Sequence, residues 1–452
     1  MQFENKRVMV YGAARSGISA ANMLQKLGAN VLMFDRNTNL KDEDFKERLD
    51  VEHQFELITG ILSEDIIPTI DLLILSPGIA ADHPDILKIK ANHIPVWGEI
   101  ELAYSFTKGK IIGITGTNGK TTTTTLVGEI MKSYFEEVYV VGNIGKAYSD
   151  AALDTTDKAV TVIELSSFQL ETIHEFKPDV SVILNITPDH LDRHYTMDNY
   201  IAMKERITRN QTKSELCILN YEDEILRAMA DRLGTRILFF SSSRKLNDGM
   251  YLDGEEIVYS ENGNRQMVCN INELRILGKH NYENVMAAVG IAVAMGIPME
   301  YIRKTLLKFK AVEHRIEFVE TINGVTYYND SKGTNPDASI RAVQAMRCPT
   351  ILIGGGYDKK LPFDELIEAF EGKVKCLVLL GQTKEQFAET ARRHGFTNII
   401  MTDSLKEAVS VSSKEAVPGD VVLLSPACAS WGMFDNYEQR GNLFKEYVRE
   451  ML

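Results

Sequence analysis

Along this chain, short apolar runs that end in Gly, Asn or Asp alternate with segments whose apolar positions recur at helical spacing. The alternation predicts an α/β fold, a doubly wound parallel sheet with helices on both faces, because strands buried on both sides read as near-continuous apolar runs. The first predicted strands are RVMVYG (7–12), NVLMFD (30–35) and DLLILSPG (71–78), and IPVWGEIELAYSF (94–106) predicts a strand leading into a helix. A first domain, 1–106, is expected to end there. Next come KIIGITG (110–116), VYVVGN (138–143), AVTVIELSS (159–167), VSVILNITPDH (180–190) and LCILN (216–220), then a polar stretch, 241–275, expected to hold a few antiparallel strands. With the helix opening at HNYENVMAAVG, these form a second domain, 107–311. The strand pattern restarts in VTYYND, TILIGGG, CLVLLG, NIIM and VVLLSPA, which predicts a third domain, 312–452. No solenoid repeat or low-complexity segment interrupts the pattern.

Composition narrows the function classes. With 50 basic and 63 acidic residues among 452, the net charge of −13 repels a nucleic-acid backbone or an anionic membrane, and no Lys/Arg run offsets it. The five cysteines include no CxxC pair, so a disulfide framework is excluded and a cytoplasmic setting is expected. The N-terminus has too short an apolar run for a secretory signal. The longest charge-free apolar stretch, Val285 to Met299, has 15 residues, short of a bilayer span, and reads as a buried helix.

Candidate chemistry gathers at predicted strand ends, where open α/β sheets bind ligands. The loop Gly12–Gly17 resembles a dinucleotide fingerprint but has Ala14 at the second glycine position, and Asp35 ends the next strand. One reading is a nucleotide-diphosphate site of Arg15, Ser16, Asp35, Arg36, Ser76, Pro77 and Gly78; the other is a tight turn with a capping acid. The strongest signal is GITGTNGKTTTTT. Backbone N–H groups of Gly116, Thr117, Asn118 and Gly119, with Thr122 in the first turn, would cradle phosphates; Lys120 would reach the β and γ oxygens and Thr121 would ligate Mg²⁺. The loop departs from the common P-loop spacing, since Ile114 occupies the first glycine position and Gly113 lies one residue early.

A metal beside that loop needs a carboxylate, and Glu164 ends a strand. Asn143 and the NITPDH segment end neighbouring strands, with His190 a candidate for the metal or the reacting group. His190 and His194 lack the Glu of a zinc helix. In a helix capped by Asp198, the stripe Tyr200, Met203, Lys204, Ile207 faces inward while Glu205 and Arg206 turn outward. An inward lysine either reaches back to solvent or stays neutral and captures carbon dioxide as a carbamate, an added carboxylate ligand. In the third domain DSKGTNP, GGGYDKK and SPACAS lie at strand ends, with Arg315 and Lys332 as charge partners for a phosphate and a carboxylate. Cys428 has no His in its segment and reads as a buried residue.

The ordered set GTNGKTT, GNIG, VIELSSFQLE, NITPDHLDRH, KHNYENVMAA, EHRIE, YNDSKGTNPDA and SPACASWGMFDNYEQRGNLF resembles the Mur ligases of peptidoglycan synthesis across essentially the whole chain. The DSKGTNPDA and SPACAS segments are similar to the D-glutamate-adding branch. The resemblance implies three domains, of which the first is Rossmann-like and grips UDP without NAD, the central one carries the P-loop, and the third is Rossmann-like. It implies that ATP phosphorylates the alanyl carboxylate of UDP-MurNAc-L-Ala and that D-glutamate displaces the phosphate. It puts Lys120 on ATP, Thr121 and Glu164 on one Mg²⁺, His190 and a carbamoylated Lys204 on a second, and Asn143 with the UDP-substrate. Asn281 and Asn284 would lie near adenine, Arg315 near the phosphates, Asp330 near the ribose and Lys332 beside the acyl phosphate. Thr334, Lys359, Ser430 and Tyr437 would receive D-glutamate, with Lys360 an alternative to Lys359. The expected protein is a monomer acting on small molecules, with no nucleic acid and no membrane insertion. An NAD oxidoreductase using Gly12–Asp35 and a non-enzymatic nucleotide-gated binding protein remain the competing readings.

Overall fold

The structure, a computed structural model, describes residues 3–40, 55–310, 312–358 and 360–452. It is an α/β protein with three sheets among the described residues, distributed over two compact units. The first unit comprises Met1–Cys269 and Glu283–Thr305, the second Asn270–Tyr282 and Leu306–Leu452. The boundary falls inside the helix Lys279–Ala294, expected to belong wholly to the central domain.

The first unit opens with strands β1 (Arg7–Tyr11), β2 (Asn30–Asp35), β3 (Glu56–Thr59), β4 (Leu72–Leu75) and β5 (Val96–Gly98), in the order β3-β2-β1-β4-β5. All their pairings are parallel. Alternation along β1 explains the apolar run: Val8 and Val10 enter one core cluster, Met9 and Tyr11 the other. The unit's second sheet is built from β6 (Lys110–Thr115), β7 (Val138–Gly142), β8 (Val160–Glu164), β9 (Val180–Ile183), β10 (Leu216–Asn220), β11 (Arg236–Ser241), β12 (Gly249–Asp253), β13 (Glu256–Glu261) and β14 (Asn264–Asn270). Its order is β14-β13-β12-β11-β10-β9-β6-β8-β7. The pairings from β7 to β12 are parallel and β12 pairs antiparallel with β13, as the polar stretch predicted. Ile100, Leu102 and Ala103 of the helix Glu99–Tyr104 share a core cluster with both sheets.

In the second unit β15 (Glu317–Ile322), β16 (Val325–Asn329), β17 (Thr350–Gly354), β18 (Val374–Leu379), β19 (Ile399–Met401) and β20 (Val421–Leu424) lie in the order β15-β16-β20-β17-β18-β19. Only the β15–β16 pairing is antiparallel among them.

Four expectations need correction. The stretch Val285–Met299 is not one helix: the helix stops at Ala294, Gly296 takes a φ of +75° and a second helix runs Met299–Lys308. The helix Met197–Glu205 is capped by Thr196, whose Oγ1 accepts from Asn199 N at 3.2 Å, and Asp198 lies in its first turn. Arg206 does not turn outward; it donates to the carbonyls of Leu170 and Ile173, each at 2.7 Å. Strands β3, β11 and β15 add to those expected. Among the described residues no helix is long and apolar enough to cross a membrane.

Candidate active site

Strand β6 runs into the loop Gly116–Gly119 and then the helix Lys120–Lys132. Gly116 and Gly119 hold φ of +151° and +86°, where a side chain is strained, and a Cβ on Gly119 would collide with Asn284 Oδ1. Asn118 N donates to Asn185 Oδ1 at 2.8 Å, Asn185 Nδ2 returns a bond to Asn118 O at 3.1 Å, and Thr117 N donates to Asn185 O at 2.9 Å. Thr117 Oγ1 accepts from Thr187 N at 3.0 Å and shares a hydrogen bond with Tyr200 Oη at 3.1 Å. The loop is thus held in shape by the protein's own hydrogen bonds. Lys120 Nζ donates to Gly116 O at 2.8 Å and Thr117 O at 2.9 Å. Thr121 is half-buried and Thr122 buried in the first turn.

The order β9-β6-β8-β7 brings four parallel strand ends side by side. Glu164, ending β8, is 1 % exposed. Its Oε1 accepts from Asn143 Nδ2 at 2.8 Å, while Oε2 is buried without a hydrogen-bond partner among the described residues. A buried acceptor left open is costly, which fits a site completed by a cation. His190 follows β9 in the left-handed region at φ +52°, is half-exposed at its side chain, and packs its ring 4.9 Å from that of Phe168. His194 is buried and hydrogen-bonds Ser167 Oγ through Nε2 at 3.0 Å; no cluster of three or more His, Cys, Asp and Glu exists among the described residues.

Lys204 does not reach back to solvent: it is 1 % exposed, its Nζ donates to Gly116 O at 2.9 Å, and it lies 4.6 Å from the centre of the Tyr200 ring. Two lysines therefore share one loop carbonyl. Burial first, and the neighbouring Lys120 second, push the Lys204 ammonium down to about 7, so a large fraction is neutral amine near neutrality.

In the first sheet Asp35 holds the Gly12 loop, accepting from Ala13 N at 2.8 Å through Oδ2 and from Asn37 N at 2.9 Å through Oδ1. Ser76 Oγ donates to Gly12 O at 3.0 Å, so the loops after β1 and β4 touch where Gly12 has a φ of +105°. Ser16 and Pro77 are half-buried and Gly78 is exposed beside them. Arg36 contacts His83 Nε2 at 2.7 Å. Arg15, expected at the UDP-substrate, donates to Gly145 O at 2.8 Å and Asn143 O at 3.4 Å, on the loop after β7.

In the second unit Lys332 lies 5.2 Å from the centre of the Tyr437 ring, and burial pushes the Tyr437 phenol up to about 12. Ser430 is buried, Thr334 half-buried and Arg315 exposed. Asp330, expected near the ribose, is buried, accepting from Ser425 Oγ at 2.6 Å and Ile316 N at 3.2 Å. Burial pushes its carboxyl up to about 7. Asn281 donates to Leu277 O at 2.7 Å from the second unit's part of its helix, and Asn284 is buried in the first unit. Lys359 lies outside the described residues. Cys428 is buried near Thr383 Oγ1, at 3.3 Å.

Sequence reasoning missed two braces. Asn185 stands in the NITPDH segment already singled out, yet its role depends on a partner 67 residues away. Arg440, 2 % exposed, donates to Ser331 Oγ at 3.0 Å, Ser331 O at 2.8 Å and Cys428 O at 3.1 Å, joining the DSKGT and SPACAS loops. A buried arginine in a charged helix leaves no periodic mark.

Comparison with known proteins adds independent findings. Residues 6–98 match the family described as Mur ligase MurD-like, N-terminal domain, 114–292 the Mur ligase middle domain, and 314–428 the Mur ligase, glutamate ligase domain. The UDP-N-acetylmuramoylalanine--D-glutamate ligase of Lachnoclostridium phytofermentans is 54% identical over 451 residues, covering 100% of this chain and 99% of that protein. The protein of the same name from Clostridioides difficile is 44% identical over 452 residues, with 100% of both chains covered. Among solved structures, UDP-N-acetylmuramate-alanine ligase MurC from Thermotoga maritima shares the fold at TM-score 0.60 and 18% identity, covering 99% of this chain and 100% of that one. MurF ligase from Thermotoga maritima does so at TM-score 0.59 and 16% identity, covering 100% and 97%. This chain belongs to the Mur ligase family, in its UDP-N-acetylmuramoylalanine–D-glutamate ligase branch.

Proposed function

We propose that this protein joins D-glutamate to UDP-N-acetylmuramoyl-L-alanine at the expense of ATP, releasing ADP and phosphate. The alanyl carboxylate attacks the γ-phosphoryl group, ADP departs, and the amine of D-glutamate attacks the resulting acyl phosphate and expels phosphate with loss of a proton. The observation that carries this reading is the pre-shaped Gly116–Gly119 loop, with Lys120 and Lys204 on one carbonyl and the open Glu164 Oε2 at the adjoining strand end. In-line transfer of a γ-phosphoryl group needs positioned cationic charge more than covalent help.

Lys120 and the N-terminus of its helix hold the ATP phosphates, and Thr121 and Glu164 hold one Mg²⁺. The donor set fits, since Asn143 orients one Glu164 oxygen and leaves the other open. Bound Mg²⁺ neutralises phosphate charge and withdraws electrons from the transferred group. The neutral Lys204 amine adds to carbon dioxide through Nζ and loses a proton; the carbamate then serves with His190 at a second Mg²⁺. The Gly12 and Ser76 loops, with Asp35, Arg36 and the helix N-terminus at Ser16, hold UDP. On the family resemblance, Asn281 and Asn284 serve adenine, Arg315 the phosphates, Lys332 the acyl phosphate, and Thr334, Ser430, Tyr437 and Lys359 D-glutamate.

The test is phosphate release from ATP with UDP-MurNAc-L-Ala and a panel of D- and L-amino acids. ADP and phosphate are expected only with the UDP-substrate and D-glutamate together. AMP and pyrophosphate, or turnover that ignores the UDP-substrate, overturns the proposal.

A further inference from the structure

The segment bearing His190 is tied to the first sheet by a residue that the proposed reaction leaves without a task. Arg193, in the short helix Leu191–His194, is 15 % exposed at its side chain and makes a two-point pair with Glu171, Nη2 to Oε2 at 2.8 Å and Nε to Oε1 at 3.3 Å. The same Nη2 donates to Ile79 O at 2.8 Å. Ile79 closes the turn after β4, its N donating to Ser76 O at 3.0 Å, and Ser76 in turn donates to Gly12 O. The guanidinium also lies 5.0 Å from the centre of the Phe168 ring, whose edge-on neighbour is His190 at 4.9 Å. One side chain thus touches the loop after β4 and the ring on which His190 rests.

A guanidinium suits this place. Its planar fork bonds a carboxylate at two points, keeps an N–H for a carbonyl and stacks on an aromatic face, whereas an ammonium is a point charge unable to do all three. The Glu171 carboxylate balances the charge, so the contact to Ile79 O sets position without supplying net charge to the site. A second, exposed tie runs alongside, Tyr195 Oη donating to Asp82 Oδ2 at 2.9 Å.

We infer that Arg193 is a positioning residue that fixes the distance between the loops gripping the UDP moiety and His190, and so aligns the far end of the UDP-linked substrate with the phosphoryl-transfer site. This rests on the proposed function. A substrate held at one end by the first sheet and reacting at the other is sensitive to that span, while ATP and D-glutamate are not.

The test compares the wild type with Arg193→Lys. For Arg193→Lys, kcat/KM for UDP-MurNAc-L-Ala is expected to fall about tenfold or more, with KM for ATP and D-glutamate within about twofold of wild type. UDP alone should bind both proteins equally in calorimetry, and the melting temperature should stay at the wild-type value because the Glu171 charge is still paired. In the ligand-free protein, hydrogen exchange should speed up together in the 76–82 and 188–191 segments of Arg193→Lys and stay unchanged at 116–121. A parallel loss for all three substrates, a loss that tracks melting temperature, or faster exchange in only one of the two segments overturns the inference. If the wild type fails to use the UDP-substrate while the two segments still loosen together, the proposed function falls and the coupling stands.

Discussion

Asn185 and Asn118 exchange two hydrogen bonds, side-chain carbonyl to backbone N–H at 2.8 Å and side-chain amide to backbone carbonyl at 3.1 Å. An amide matches both the backbone donor and the backbone acceptor of one residue, so Asn185 fixes the orientation of the two peptide units that flank Asn118, just before Gly119. Asn185→Asp keeps the acceptor, removes the donor and places a negative charge beside the expected phosphates. Its KM for ATP should rise about tenfold or more, as loss of a hydrogen bond to a pre-organised loop plus like-charge repulsion implies. Asn185→Ala should fall between the two, and steady-state kinetics at varied ATP would check the order.

Gly119 holds both an unfavourable φ for a side chain and the space that Asn284 fills. Gly119→Ala should destabilise the protein by about 1–3 kcal/mol from backbone strain, with further loss from displacement of Asn284. Asn284→Ala removes the collision, so the double variant should be less destabilised than the two single effects summed. Urea denaturation of the four proteins measures that coupling. Strict additivity would place the strain in the backbone alone.

The strands that read as continuous apolar runs were legible because burial on both faces leaves no polar positions, as in Val421–Leu424 and Leu72–Leu75. β15 was not, because a register shift between Phe318 and Glu320 breaks the period of two in this edge strand; Glu317–Ile322 buries only Val319 and Ile322. β3 is short and at an edge, with none of its residues fully buried. In the site, the glycines, Lys120 and Thr121 lay in one contiguous segment with its own geometry. The braces did not: Asn185 and Arg440 act on backbone groups 67 and 109 residues away, and no local pattern encodes such a pairing. Asp330 and Arg15 stand in matching segments, but the structure gives their side chains internal partners.

Asp330 carries a pH signature. Burial raises its carboxyl to about 7 from an ordinary value near 4, so the folded protein binds a proton that the unfolded chain has released. Its contribution to stability is therefore fully present below about pH 4 and is lost as the pH rises through about 7, a swing on the order of a few kcal/mol. Asp330→Asn cannot ionise and should lack that component. The wild-type melting temperature relative to the variant should fall steadily from pH 4 to pH 7.5. A difference independent of pH would mean that the native carboxyl titrates in its ordinary range.

Lys204 offers the sharpest chemical test, because its buried amine is held at about 7 between the Gly116 carbonyl and the Tyr200 ring. If its working form is the carbamate, the active group carries negative charge, whereas an ammonium there would repel a second Mg²⁺. Lys204→Ala should then lose most activity, and acetate or formate should partly restore it by placing a carboxylate in the vacated space. Lys204→Arg should stay inactive with the same additives, since guanidinium keeps its charge and forms no such adduct. Wild-type activity should also fall in buffer stripped of carbon dioxide and return with bicarbonate, while Lys204→Ala with acetate should not respond. The measurements are phosphate-release rates of the three proteins across a carboxylate titration at fixed ionic strength. Near-normal activity of Lys204→Ala without additive, or equal rescue of Lys204→Arg, would show that the lysine serves only to brace the Gly116 carbonyl.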